Sequence, residues 1–292
     1  MDRLLFLLAT GLARGAIFAL FALSLVLIWR AARIVNFAQG AMAVVAVYVA
    51  FAVTGLTGSY WAGLASALVA GAAIGFAVER GVMRFAPQGS PLSGVIIAIG
   101  LVMVLQSALG IAFGAQVRPM QVPFDERPIE IAGVPVLSPY DLFVLTVAVA
   151  VMAGLALLFA RTSLGLQLRA SAFAPEVSRL LGVRVSRMLT VGWMLSAAVA
   201  ALAALLLVPT ELGLSPHSTD VLFVYAFTVA VVGGLDSPPG ALVGGLIVGV
   251  VMSLVTGYLG ATVAPIAVLV LLVVVLLVRP GGIFSARQVR QA

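Results

Sequence analysis

The chain has no cysteine and no lysine, a single histidine, and charged side chains at only 9% of its 292 positions. Each shortage removes a class of chemistry. Without cysteine there is no disulfide framework, no thiolate nucleophile and no zinc–thiolate site. One histidine, His217, cannot build a multi-histidine metal site, so no metal centre is expected. A Walker A loop needs a lysine on the phosphates, and Schiff-base chemistry needs one too. The chain therefore reads as having no ATP site and no catalytic residues of its own. A soluble domain carries about 25% charged residues. A chain with 63% hydrophobic residues and a mean hydropathy of +1.24 cannot cover itself in water. The pI near 10.7 does not point to nucleic acid, because the basic excess lies in loops between apolar runs, where membrane topology accounts for it.

What is present is a succession of apolar runs, at 12–29, 34–53, 61–78, 92–113, 142–160, 189–208, 221–232, 241–258 and 262–278. A helix needs about 20 residues to cross the hydrocarbon. The expected fold is all-α and polytopic, with about 8–9 transmembrane helices and no separate soluble domain within 1–292. The second and seventh runs are irregular. The start, with only Arg3 as its n-region charge and an apolar stretch that continues past any small-residue cleavage site, reads as a retained span rather than a signal peptide.

All 16 basic residues are arginine, and twelve of them fall on one side: Arg30, Arg33, Arg80, Arg84, Arg161, Arg169, Arg179, Arg184, Arg187, Arg279, Arg287 and Arg290. The positive-inside rule makes that side the cytoplasm and puts the C-terminus there. The longest outer loop is 116–141, with IEIAGVPV suited to a small hairpin around Ala132 and Gly133. The longest inner segment is 161–187, expected to be helical after Pro175.

Two places should break helices. IVNFAQGAM at 34–42 puts Asn36, Phe37, Gln39 and Gly40 at the mouth of an apolar run. VGGLDSPPG at 232–240 interrupts another with Gly233, Gly234, Asp236, Ser237 and two prolines. Unwound backbone survives in lipid only where protein or a water-lined cavity surrounds it, so both breaks are expected to face the inside of the bundle. Paired breaks in corresponding places suggest an internal repeat and a substrate path. The plainer alternatives are helix capping or neighbour hydrogen bonds for Asn36 and Gln39, and a tight turn for 232–240. Gly240, Gly244, Gly245 and Gly249, like Gly71 with Gly75 and Gly110 with Gly114, form smooth faces for close helix approach. Arg14 is expected to snorkel to the outer interface and His217 to be solvated in an outer loop.

The string RTSLGLQLRASAFAPEVSRLLGVRV resembles the cytoplasmic loop of the branched-chain amino-acid ABC importer permeases, a family that includes related ribose-type sugar permeases. Thr162, Gly165, Arg169, Ala170, Pro175, Glu176, Gly182 and Val183 match its pattern. Ala174 stands for the usual aspartate and Ser178 for an alanine. IVNFAQG, VVGGLDSPPGALVGG and RPGGIF resemble three further family motifs in order, with Gln39 in place of histidine and Asp236 in place of glycine.

The resemblance implies a transmembrane subunit of a bacterial ABC importer for amino acids in the cytoplasmic membrane. It implies a substrate path past the two breaks, and coupling to an ATPase through Arg169, Ala170, Pro175, Glu176, Arg179 and Gly182. It also implies partners: a second permease subunit (a paralogue), two ATP-binding subunits that hold ATP and magnesium, and an extracytoplasmic solute-binding protein. The residues alone keep other readings open. The arginine-rich segment could instead lie on anionic lipid. The solute could be urea, an amide or a sugar. An ion-coupled secondary transporter would need intramembrane acids, for which Asp236 is the candidate.

Overall fold

The computed structural model describes residues 2–86, 91–131, 134–210, 213–279 and 281–283. Glu211, Ala132, Gly133, Arg287 and Arg290 lie outside them. Every apolar run becomes a helix: α1 (Asp2–Ala32), α2 (Gln39–Thr57), α3 (Tyr60–Gly81), α4 (Pro91–Phe113), α5 (Pro139–Arg161), α6 (Ser163–Phe173), α7 (Pro175–Leu180), α8 (Val185–Leu207), α9 (Asp220–Gly233), α10 (Pro238–Leu259) and α11 (Ala264–Val278), where α6 and α7 are short additions in the arginine-rich segment. Eight of the helical stretches are long and apolar enough to cross a membrane. The seventh run is not: α9 has 14 residues, about 21 Å of helix. The outer loop carries the expected hairpin as β1 (Glu130–Ile131) and β2 (Val134–Pro135), antiparallel with Glu130 opposite Pro135.

α1 is the axis of the bundle. Its most apolar window is 89% buried, against 11% for α4, α5 and α11. α10 and α8 pack along it, with α9 and α5 on its remaining sides. α3 lies against α8, α2 fits between α3 and α8, and α4 and α11 sit at the edges on α2 and α9.

Small residues set these distances, since lipid offers no hydrophobic drive between helices and backbone approach must supply the contact. A Cβ on Gly15 would fall 2.7 Å from the Gly245 carbonyl oxygen, and one on Gly75 2.5 Å from that of Trp193. Gly245 and Gly249 therefore join α10 to α1, and Gly71 and Gly75 join α3 to α8. Gly110 and Gly114 meet nothing within 4 Å, so that pair packs on no other part of the described chain.

The ends of the bundle differ. At one, Trp29, Arg30 and Arg33 close α1, Arg80 closes α3, Arg161 closes α5, and α6, α7 and the start of α8 carry Arg169, Arg179, Arg184 and Arg187. The opposite end is aromatic, with Tyr60, Trp61 and Phe143 in edge-on contact and Phe124 tilted against Phe143. There a Ser138–Asp141 capping box starts α5, and Arg14 lines a cavity of about 320 Å³ with Glu126 and Asp141.

Gly245→Leu should cost the isolated chain about 2 kcal/mol or more through overpacking against Ala19, read as a lowered thermal midpoint in detergent. Gly110→Leu, in open space, should leave that midpoint within error.

Candidate functional site

The two expected breaks turn out to differ in depth. At the first, α1 ends and residues 33–38 double back so that α2 begins inside the bundle. Asn36 and Gln39 are 0% exposed. Asn36 Nδ2 donates to Gln39 Oε1 at 2.6 Å, and Asn36 Oδ1 accepts from the Ala38 amide at 3.1 Å. Gln39 Nε2 donates to Ser196 Oγ at 2.9 Å and to Ser24 Oγ at 3.3 Å. Ser196 in turn donates to the Ser24 carbonyl at 2.8 Å. Every polar position of the Gln39 amide is met, so α1, α2 and α8 are knotted by it. Ser24 lies eight residues before the end of α1, so the knot sits roughly 12 Å into the bundle along that helix.

The second break does not face the inside. Gly233 and Gly234 are buried, but Asp236 is at the arginine-rich end with its side chain 58% exposed, 2.6 Å from Arg33 Nη1. Trp29 Nε1 also reaches it, at 3.3 Å. Ser237 caps α10 by accepting from the Gly240 amide. Asp236 interrupts α9 and α10 where they emerge, and the turn is clasped by the last described residues: the Ile283 amide donates to the Val232 carbonyl at 2.8 Å, and Gly282, at φ +86°, lies against Gly234. Two of the motifs quoted from the sequence, VVGGLDSPPG and RPGGIF, thus meet at the arginine-rich end of the bundle, where Arg33, just before IVNFAQG, bonds Asp236.

The polar residues that reach an open face at depth are ones the sequence reading placed in an outer loop. Arg118 and Leu214 pair backbone to backbone, and Gly213, at φ +102°, has no room for a Cβ beside the Arg118 carbonyl. From there the chain descends, and Thr219, 0% exposed, donates to the Gly40 carbonyl at 2.9 Å. Gly40 adjoins the knot, so α9 starts within the bundle. Asp220 opens α9. It accepts from Gln106 Nε2 of α4 at 2.8 Å and lies 3.0 Å from His217 Nδ1. The side chains of His217 and Asp220 are 67% and 51% exposed. Directly beyond them Phe37, Phe223 and Phe227 form a contiguous aromatic patch, with ring centroids 5.8–6.3 Å apart.

The face made by α4, the start of α9 and Phe37 thus sets the polar group of Gln106, His217 and Asp220 beside an aromatic patch. Of the residues expected on a path, Phe37 lies on this face; Asn36 and Gln39 are buried behind it, the Gly40 carbonyl holds Thr219, and Gly233, Gly234, Asp236 and Ser237 lie toward the arginine-rich end. A local signal for this face was in the sequence: the apolar run of 221–232 is too short to span, and α9 begins beside Gly40.

The arginine-rich segment folds as two short helices. Thr162 caps α6 by accepting from the Gly165 amide at 3.0 Å, and Gly165 lies directly on the α5 backbone at Leu158 and Phe159. These contacts give a physical role to the Thr162–Gly165 spacing. Pro175 starts α7, and Gly182 ends the segment at φ +83°. Glu176 and Arg179 pair at 3.2 Å, both exposed. Gly165, Leu168, Ser171 and Ser178 face the bundle, whereas Phe173 and Leu180 are each 88% exposed and Leu181 78%. Arg169 is also exposed, and Ala170 is half-buried.

The comparisons bear on what this arrangement serves. The model of the family described as branched-chain amino acid transport system / permease component matches residues 7–279. The high-affinity branched-chain amino acid transport system permease protein BraD of Pseudomonas aeruginosa is 31% identical, with 97% of this chain and 96% of that protein covered. The corresponding LivH of Escherichia coli K12 is 29% identical over 96% and 95%. A probable LivH of Methanocaldococcus jannaschii is 29% identical over 90% and 87%.

Gln39→Leu strips the knot of its central amide and leaves the buried Asn36 donor without its oxygen partner. The expected loss is about 1–3 kcal/mol, seen as a lower thermal midpoint of the purified chain. Unchanged stability would return Gln39 to the role of a solute contact.

Proposed function

The chain belongs to the family of branched-chain amino acid transport system permease components, and from that membership we propose how it works as the membrane-spanning subunit of an ABC importer for these amino acids. The observation that carries the reading is the half-exposed Asp220 carboxylate at depth. It faces away from the chain's own core, so the passage it lines is completed by another subunit. A second permease copy or paralogue supplies the opposite wall.

The chemistry of the wall suits the solute. A branched-chain amino acid has a charged ammonium and carboxylate at one end and an aliphatic side chain at the other. Asp220 attracts the ammonium, Gln106 and His217 supply hydrogen bonds, and Phe37, Phe223 and Phe227 receive the aliphatic end. These contacts are individually modest, which suits passage rather than retention.

The arginine-rich end is the cytoplasmic one by the positive-inside rule. An extracytoplasmic binding protein then delivers solute at the aromatic end, beside the β1–β2 hairpin. The chain has no engine, so work enters through α6 and α7. Phe173, Leu180 and Leu181 form an exposed apolar patch flanked by Arg169 and Arg179, the composition of an anchor that fits a groove on another protein. Two ATP-binding subunits holding ATP and magnesium occupy that position. Their closure moves α6, which is seated on α5 through Gly165, and so tilts the bundle about the passage.

Two measurements on the transporter reconstituted with its ATPases and binding protein test this. Asp220→Asn should lower uptake about tenfold or more while assembly is kept, as a charge-assisted contact of about 1.5–3 kcal/mol is lost. Phe173→Ser with Leu180→Ser should abolish stimulation of ATP hydrolysis by the loaded binding protein, as loss of an anchor worth about 2 kcal/mol or more weakens docking. Gradient-driven uptake by this chain alone would overturn the importer reading.

A further inference from the structure

Next to the exposed patch of α6 and α7, whose Phe173 and Arg169 it shares, the arginine-rich end holds a cavity of about 320 Å³. It opens between the last turns of α1 and α5, the inner face of α6 and the start of α8. Its apolar walls include Leu27, Phe159 and Leu195, and three guanidinium-bearing residues line it: Arg30, Arg33 and Arg169. No carboxylate lines it. Arg33 has Asp236 as its partner at 2.6 Å, whereas Arg30 and Arg169 form no ion pair among the described residues. Arg30 is instead held 5.9 Å from the centre of the Phe159 ring. The floor is made of small residues, Ala31, Ala172 and Gly192.

We infer that this cavity binds an anionic glycerophospholipid, with the phosphodiester held by Arg30 and Arg169 and the first methylenes of an acyl chain lying against Leu27, Phe159 and Leu195. Position and charge argue together. The cavity lies where membrane-spanning helices end, the level at which lipid headgroups meet hydrocarbon, and basic pockets between helices at that level recognise such headgroups. Arg30 and Arg169 form no ion pair among the described residues, although Asp236 on Arg33 also acts on Arg30 from a distance, and two unpaired guanidiniums beside an apolar wall match a ligand that is anionic at one end and aliphatic at the other. Arg169 belongs to α6 and Arg30 to α1, so a bound lipid bridges the segment that receives work and the axis of the bundle. The inference rests on the membrane-spanning fold and not on the identity of the solute.

The assembled transporter, stripped of lipid in detergent, is titrated with phosphatidylglycerol and scored by native mass spectrometry. Binding should weaken about fivefold for each arginine lost, and about thirtyfold for Arg30→Gln with Arg169→Gln. Arg179→Gln with Arg184→Gln, outside the cavity, should leave it unchanged. Ala172→Phe, which keeps every charge and fills the floor, should also abolish retention, and it decides the matter should the arginine variant fail to assemble. Inorganic phosphate should not displace the lipid. Retention that survives both cavity variants overturns the proposal, as does an equal loss in the Arg179 and Arg184 pair. Full displacement by inorganic phosphate would make the cavity a site for a free anion and overturn the lipid assignment.

Discussion

Backbone that leaves the helical pattern inside a membrane must have its amides and carbonyls met by neighbouring helices. This chain meets that demand around one side chain. Gln39 bonds at once to Asn36 on its own turn, to Ser24 on α1 and to Ser196 on α8. The carbonyl of the next residue, Gly40, receives Thr219 from the segment that opens α9. Remove the amide and the reason for α2 to start at depth disappears, and with it the platform on which α9 begins.

Two helices that start partway through the bundle leave room that full-length helices would have filled. α2 and α9 leave it on the same face, and there the chain places Asp220, Gln106 and His217 above an aromatic patch. The rest of the bundle is built to hold that face still. α1 is clamped to α10 through glycines, α8 to α3 likewise, and α4, α5 and α11 stand at the periphery with most of their surface uncovered. Rigidity sits at the axis and exposed surface at the edge, the distribution expected of a subunit whose neighbours complete it.

Composition and the spacing of apolar runs made the fold legible. Each run proved to be a helix, the strands 130–131 and 134–135 paired, and Pro175 opened a helix as its position suggested. Most of the site was harder to read. Asp236, beside two glycines and two prolines, looked like a residue buried within a broken span, yet it lies at the rim, because the chain leaves α9 where α1 ends, beside Trp29 and Arg33. The segment containing His217 looked like a solvated loop, and His217 is exposed, but the same segment also reaches Gly40 through the buried Thr219. Hydropathy marks which residues lie in the membrane but not how deep a polar loop reaches. Depth here depends on contacts between residues far apart in sequence, Arg118 with Leu214 and Gly40 with Thr219, which no local pattern announces. The shortness of the run at 221–232 was the one local clue.

The clasp at the end of α9 has a consequence for assembly. Ile283 and Gly282 hold the turn after Gly233, yet they are made only after α10 and α11. During synthesis α9 can pack on α1 and on Gly40 through Thr219, but its lower end lacks this clasp until the ribosome has moved well past it. The helix that carries Asp220 is therefore fully fastened only late, so a nascent chain caught midway through biogenesis still has its turn after Gly233 unclasped.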